Sequence, residues 1–307
     1  MTRRTDADAT GRLEPIDVRW RPRGMTIRGA LAAVVLFGLA ACGERGATTP
    51  PASTSAASEP AAGEGLVLRV EYTGGFVSPA ATAARLPLVS VYADGRVISE
   101  GPTPAIYPGP ALPNLQERHI DQSTVQDLVD RALAAGVADT ADLGSPPIAD
   151  ATSTRITLVT AKHTYVREAY ALTEGATENR GLTEAQRAAR AKLGDLLDTL
   201  TGPTADSGDT VAYAPTAIAA LATPWVDPQD GLAQPEVPWP GPALPGEPLG
   251  MPDLTCATAI GDQEHALASA AGSANAVTPW VTPDGARWTV TLRPLLPDES
   301  SCADLQD

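Results

Sequence analysis

Hydrophobic and polar positions set out two folded stretches with a proline-rich run between them. Leu66-Val67-Leu68-Arg69-Val70-Glu71-Tyr72 alternates over its second half, which predicts a strand with one buried face. Leu88-Val89-Ser90-Val91-Tyr92 and Arg96-Val97-Ile98 flank Ala93-Asp94-Gly95, and Asp-Gly between β-branched runs is a hairpin signal. Ser123-Thr124-Val125-Gln126 has capping-box spacing. Behind it Val125, Leu128, Val129, Ala132 and Leu133 fall on one face of a helix that Gly136 should stop. A second hairpin is expected from residues 154–160 and 164–167. A second helix should open at Thr183-Glu184-Ala185-Gln186, bury Leu193, Leu196, Leu197 and Leu200, and end at Gly202-Pro203.

Nine prolines in residues 224–252 speak against regular structure there, because each removes a donor and restricts its neighbour. Beyond them, residues 254–260 read as a strand and 262–271 as a short helix. Residues 277–281 and 287–292 read as strands paired across Pro283-Asp284-Gly285. The fold class this implies is α+β: a mostly antiparallel sheet with two packed helices over residues 65–203, then a Pro-rich connection over 204–252. A small disulfide-stapled α+β segment, 253–307, should dock on the first body, since about 55 residues are marginal alone.

The N-terminal region has a different character. Met25-Thr26-Ile27-Arg28 precedes an apolar run at residues 30–41, which ends in Leu39-Ala40-Ala41-Cys42. That run is about 18 Å long as a helix, too short for a bilayer core of roughly 30 Å, and the basic flank with small residues behind it is the layout of a signal peptide. Leu39-Ala40-Ala41-Cys42 resembles the lipobox of bacterial lipoproteins. The resemblance implies a diacylglyceryl group on the Cys42 thiol and cleavage just before it, hence a protein anchored by lipid at the extracytoplasmic face of the cell membrane. Residues 25–41 are then the signal peptide and 42–64 a flexible tether of Ala, Ser, Thr, Pro and Gly. Residues 1–24, with six arginines and four acids, read as an extension ahead of a true start at Met25.

If Cys42 carries lipid, Cys256 and Cys302 remain, and an even remainder in an oxidising compartment suggests a disulfide; two separate free thiols are the alternative. The chain carries a net charge of −15, and no Lys or Arg occurs from residue 193 to 286, where twelve acids do. Phosphate backbones are bound by neutralising Lys and Arg, so a nucleic-acid partner is not expected, and membrane attachment falls to the lipid.

Sequence signatures of catalysis are missing. There is no nucleophile elbow, no zinc-protease helix, no P-loop and no calcium-hand loop, and the three histidines, His119, His163 and His265, are far apart. No catalytic residue, metal ligand or cofactor is therefore assigned. Three acid pairs, Asp206 with Asp209, Asp227 with Asp230 and Asp298 with Glu299, lack ligand spacing around a glycine turn and read as solvated acids. Trp225, Trp239 and Trp280 in the Pro-rich and C-terminal regions are the candidate ligand-binding residues, although filling a small disulfide-stapled core is the reading preferred for them.

Segments such as Tyr72-Thr73-Gly74-Gly75-Phe76, Tyr92-Ala93-Asp94-Gly95-Arg96-Val97-Ile98 and Arg293-Pro294-Leu295-Leu296-Pro297-Asp298-Glu299 resemble those of an uncharacterised group of secreted actinobacterial lipoproteins. That group implies no activity. The expected function is non-catalytic binding or scaffolding in the cell envelope, with an envelope protein or glycan as partner. The alternatives are a hydrolase of cell-wall polymer working through Asp and Glu, and a solute-binding or inhibitor-like module using the Trp-bearing region.

Overall fold

A computed structural model of the chain describes residues 59–176, 180–202, 209–227, 229, 231 and 234–306. Cys42, the lipobox and the expected signal peptide lie outside the described residues. Strands β1 (Leu66–Gly74), β2 (Val89–Tyr92), β3 (Arg96–Glu100), β4 (Leu115–His119), β5 (Thr152–Val159), β6 (Thr164–Tyr170) and β7 (Val211–Ala212) form one sheet. Its order is β6-β5-β1-β2-β3-β4-β7, antiparallel throughout. The Asp94-Gly95 turn joins β2 to β3 as expected, with Gly95 at φ +90°.

Alternation gives this sheet two unlike faces. In register, Leu68 faces Val91 and Leu158, Val70 faces Val89 and Ile156, and Val91 faces Val97. These side chains are buried against helices α2 (Gln122–Ala134) and α3 (Glu184–Thr201). Full burial of each contributes roughly 1.5–3 kcal/mol. The α3 capping box forms as its sequence predicts, Thr183 and Gln186 each satisfying the other's backbone N–H, and Leu193, Leu196, Leu197 and Leu200 are buried. Helix α2 begins earlier than expected. Its N-cap is Asp121, whose carboxylate accepts from the Thr124 N–H at 2.7 Å and from Ser123 Oγ at 2.7 Å, so Ser123 lies inside the first turn. The opposite face of the sheet presents Arg69, Glu71, Ser90 and Tyr92.

Order also begins before Leu66, inside the expected tether. Ala61 bridges Thr160, and the Gln126 side chain donates to the Glu59 carbonyl while accepting from the Ala61 N–H. The Glu59 carboxylate accepts from Thr160 Oγ1 at 2.9 Å and from the Tyr165 hydroxyl at 3.0 Å. Those bonds, from Thr160 foremost, hold Glu59 below the usual carboxylate range.

A second sheet contains β8 (Ala217–Pro224), β9 (Val237–Pro238), β10 (Glu247–Pro248), β11 (Thr255–Ile260), β12 (Pro279–Val281) and β13 (Arg287–Pro294), in order β10-β11-β8-β13-β12-β9. Only β9 against β12 is parallel. Strands β11, β12 and β13 and helix α4 (Asp262–Ala271) fall where the sequence places them. Strand β8 does not: it lies within the stretch expected to connect, and it is central. Every residue from Ala217 to Ala222 is buried. Ile218, Ala220 and Ala222 pack with Leu267 of α4, Trp239 and Trp280, while Ala217, Ala219 and Leu221 pack with Leu254, Cys256 and Cys302 on the other side. A strand covered on both faces shows a continuous apolar run and no alternation. Alanines let both layers approach closely. The Cys256–Cys302 disulfide joins β11 to the short 3-10 helix Cys302–Leu305. The fold is therefore α+β, with two largely antiparallel sheets.

The chain leaves β13 and crosses onto the polar face of the first sheet. Leu296 is buried there with Leu86, Tyr92, Ile98 and Leu115. No helix among the described residues is long and apolar enough to cross a membrane.

Candidate functional site

Where the C-terminal segment lands, one arginine–carboxylate pair fastens it to the first sheet and a second holds the segment's own turn. Arg69 of β1 donates from Nη2 to both oxygens of Asp298, at 2.7 and 3.0 Å, and from Nε to Ser90 Oγ at 3.1 Å. The Tyr92 hydroxyl donates to Asp298 Oδ1 at 2.7 Å. Burial works against the Arg69 charge, but the adjacent Asp298 carboxylate outweighs it, so the guanidinium holds its proton more firmly than an ordinary arginine. Burial, with the hydrogen bond to Asp298 and its charge, pushes Tyr92 well above the usual phenol range. The second pair is bidentate and closed to solvent. Arg293 Nη1 and Nη2 meet Glu299 Oε2 and Oε1 at 2.5 and 2.8 Å, with the side chains 4% and 8% exposed. Glu299 also accepts from the Leu296 N–H at 2.8 Å, and the Tyr213 hydroxyl donates to the Leu295 carbonyl at 2.8 Å. Asp298, read from sequence as a solvated acid, is thus the joint between the two sheets, and Glu299, read the same way, braces the turn that presents it.

Beside this joint the sheets do not close fully, and a cleft of about 660 Å³ remains. Its sheet wall carries Arg69, Glu71 and Arg155, with Glu71 of β1 in register with Arg155 of β5. Arg155 lies 3.9 Å from Glu71 and 3.4 Å from Glu168. The opposite wall is the C-terminal body, with Leu249, Met251, Asp304 and Leu305. Arg85 follows the short helix α1 (Pro79–Ala83) and closes one end. Its Nη1 donates to the carbonyls of Tyr72 and Gly74, each at 3.0 Å. The turn after β1 makes this possible: Gly74 and Gly75 sit at φ +62° and +81°, which side chains with a Cβ rarely adopt. The segment Tyr72-Thr73-Gly74-Gly75-Phe76 is therefore a strand end whose carbonyls hold an arginine.

The residues singled out from sequence lie elsewhere. Trp239 and Trp280 are 7% and 0% exposed and pack edge to face with ring centres 5.5 Å apart, so they are core side chains of the second sheet. Trp225 is half-buried at the end of β8 under the Arg287 guanidinium, 5.5 Å from its ring centre. The three do not line a common groove. Burial of Trp239 and Trp280 between layers is the physical reason: their area stabilises the core instead of waiting for a ligand. All three histidines are exposed, and His163 lies beside Glu59 and Tyr165 at the end of the first sheet. Among the described residues no group of three His, Cys, Asp or Glu side chains converges to hold a metal ion. Asp206 and Asp230 lie outside the described residues. The arginines of the cleft went unnoticed in the sequence. The available signal was the polar half of β1, where Arg69 and Glu71 occupy a face that something must cover.

A further hollow of about 540 Å³ runs along α3, lined by Arg187, Arg190 and Asp195. Most of its wall is one helix, so fewer elements converge on it than on the cleft between the sheets. No protein-family model matches the chain, and no curated protein or solved structure matches it either.

Proposed function

We propose that this protein is a cell-envelope lipoprotein, held at the extracytoplasmic face of the membrane by a lipid on Cys42, whose folded body binds an envelope ligand. Attachment is supported by Met25-Thr26-Ile27-Arg28, the short apolar run behind it and Leu39-Ala40-Ala41-Cys42. The described body starts at Glu59, 17 residues after Cys42, so the attachment point and the body are separate in the sequence. One observation carries the binding reading: an open cleft at the junction of two sheets, with one polar wall already fixed by internal pairs and an apolar wall opposite. Ligand sites favour such junctions, and fixed walls lose little entropy when a ligand enters.

Membrane fractionation of cells expressing the full chain and its Cys42→Ala variant tests attachment. The parent should sediment with membranes and the variant should be released. Equal membrane association of the two proteins would remove the lipid from the account.

A further inference from the structure

We propose that the cleft takes a carboxylate bearing an apolar tail, with the Arg85 guanidinium as the anchor for its charge. This rests on reading the body as a binding module and is independent of the lipid on Cys42. Arg85 differs from the other arginines of the cleft. Arg69 meets Asp298, Arg293 meets Glu299, and Arg155 lies between Glu71 and Glu168. Arg85 has no carboxylate partner among the described residues. Its Nη1 is committed to the Tyr72 and Gly74 carbonyls, which fix the plane of the guanidinium. The edge formed by Nε and Nη2 has no protein acceptor among the described residues. Two parallel N–H donors on one edge are what a carboxylate meets bidentately. Because the side chain is already held, little rotamer freedom is lost when the anion arrives.

The surroundings select the rest of the ligand. Glu71, Glu299 and Asp304 also line the cleft, and the chain as a whole carries −15. A second negative charge on the ligand would face those carboxylates, whereas a single one is matched by Arg85. This favours a carboxylate monoanion over a phosphate or polyanion. Leu86, Leu249, Met251 and Leu305 supply apolar wall in the same space, and about 660 Å³ accommodates a chain of several carbons.

Calorimetric titration of octanoate into the full chain carrying Cys42→Ala tests the assignment, with octanamide and inorganic phosphate as comparison arms. Octanoate should bind at one site, octanamide at least about tenfold more weakly, and phosphate not at all. Arg85→Lys keeps the charge but lacks the fork, and should weaken octanoate at least about tenfold. Met251→Trp adds bulk from the C-terminal wall and should abolish binding; it keeps the test decisive if thermal melts show that Arg85→Lys disturbs the end of β1. Octanamide binding as tightly as octanoate, phosphate competing with it, or octanoate binding unaltered in Met251→Trp would each overturn the assignment. So would an absence of octanoate binding; if a neutral cell-wall glycan bound in its place, the binding module would stand and the carboxylate anchor would fall.

Discussion

Replacing Asp298 with Asn should cost about 2–3 kcal/mol, and the structure sets that figure. The Asp298 carboxylate receives two bonds from Arg69 and one from Tyr92, all between 2.7 and 3.0 Å. Hydrogen bonds to charged groups contribute about 1.5–3 kcal/mol each and neutral ones about 0.5–1.5, so the loss of charge alone weakens the set. The Arg69 side chain is 13% exposed and would be left without its counter-charge. Breaking a fully buried pair costs about 3–5 kcal/mol; Asp298 is 26% exposed, which brings the expectation down. At this chain length about 2 kcal/mol corresponds to a fall in Tm of roughly 4–8 °C. Urea denaturation of Asp298→Asn, Arg69→Met and the double variant would measure it. The double variant should lose clearly less than the sum of the singles, with a coupling above about 1 kcal/mol. Additive losses, or a change below about 0.5 kcal/mol for Asp298→Asn, would refute the joint between the sheets.

Two further outcomes follow from the same packing. Cys302→Ser should destabilise the protein by about 4 kcal/mol in the chain-entropy model, since the disulfide closes a separation of 46 residues; urea midpoints of oxidised, reduced and variant protein should show reduction and mutation costing alike. Tyr213 is pushed up to about 12 from 10.0, chiefly by burial and against the pull of Arg96. The unfolded chain ionises first as pH rises, so this stability is intact below pH 10 and is lost through pH 12, by at most about 2–3 kcal/mol. Tyr213→Phe should flatten that alkaline decline in stability measured from pH 9 to 12, and an unchanged slope would count against the buried phenol.

What the sequence shows and hides follows from where each pattern finds its partner. Strands β1 to β3 are legible because one face meets helices and the other meets polar groups, so Leu68, Val70 and Val91 alternate with Arg69, Ser90 and Tyr92. The α3 capping box is legible because both partners lie within four residues. The Cys256–Cys302 pairing follows by counting once Cys42 is set aside. Strand β8 is hidden because burial on both faces erases alternation, and Ala217-Ile218-Ala219-Ala220-Leu221-Ala222 beside prolines resembles neither period. The cleft is hidden for a different reason. Arg69, Arg85, Arg155 and Arg293 come from four separate segments: the pairing of β1 with β5 and the bonds of Arg85 to the end of β1 gather the first three, and the crossing of residues 294–299 onto the first sheet adds the wall with Arg293. The tryptophans are ambiguous in the sequence because large aromatic area serves a core as well as a ligand, and the packing of Trp239 against Trp280 puts those two in the core.

A crystal structure of the chain grown with octanoate would show whether Arg85 anchors a carboxylate in the cleft. The carboxylate should lie within hydrogen-bonding distance of Arg85 Nε and Nη2, with the alkyl chain along Leu249 and Met251. An empty cleft under saturating octanoate, or the ligand seated on another surface, would contradict it.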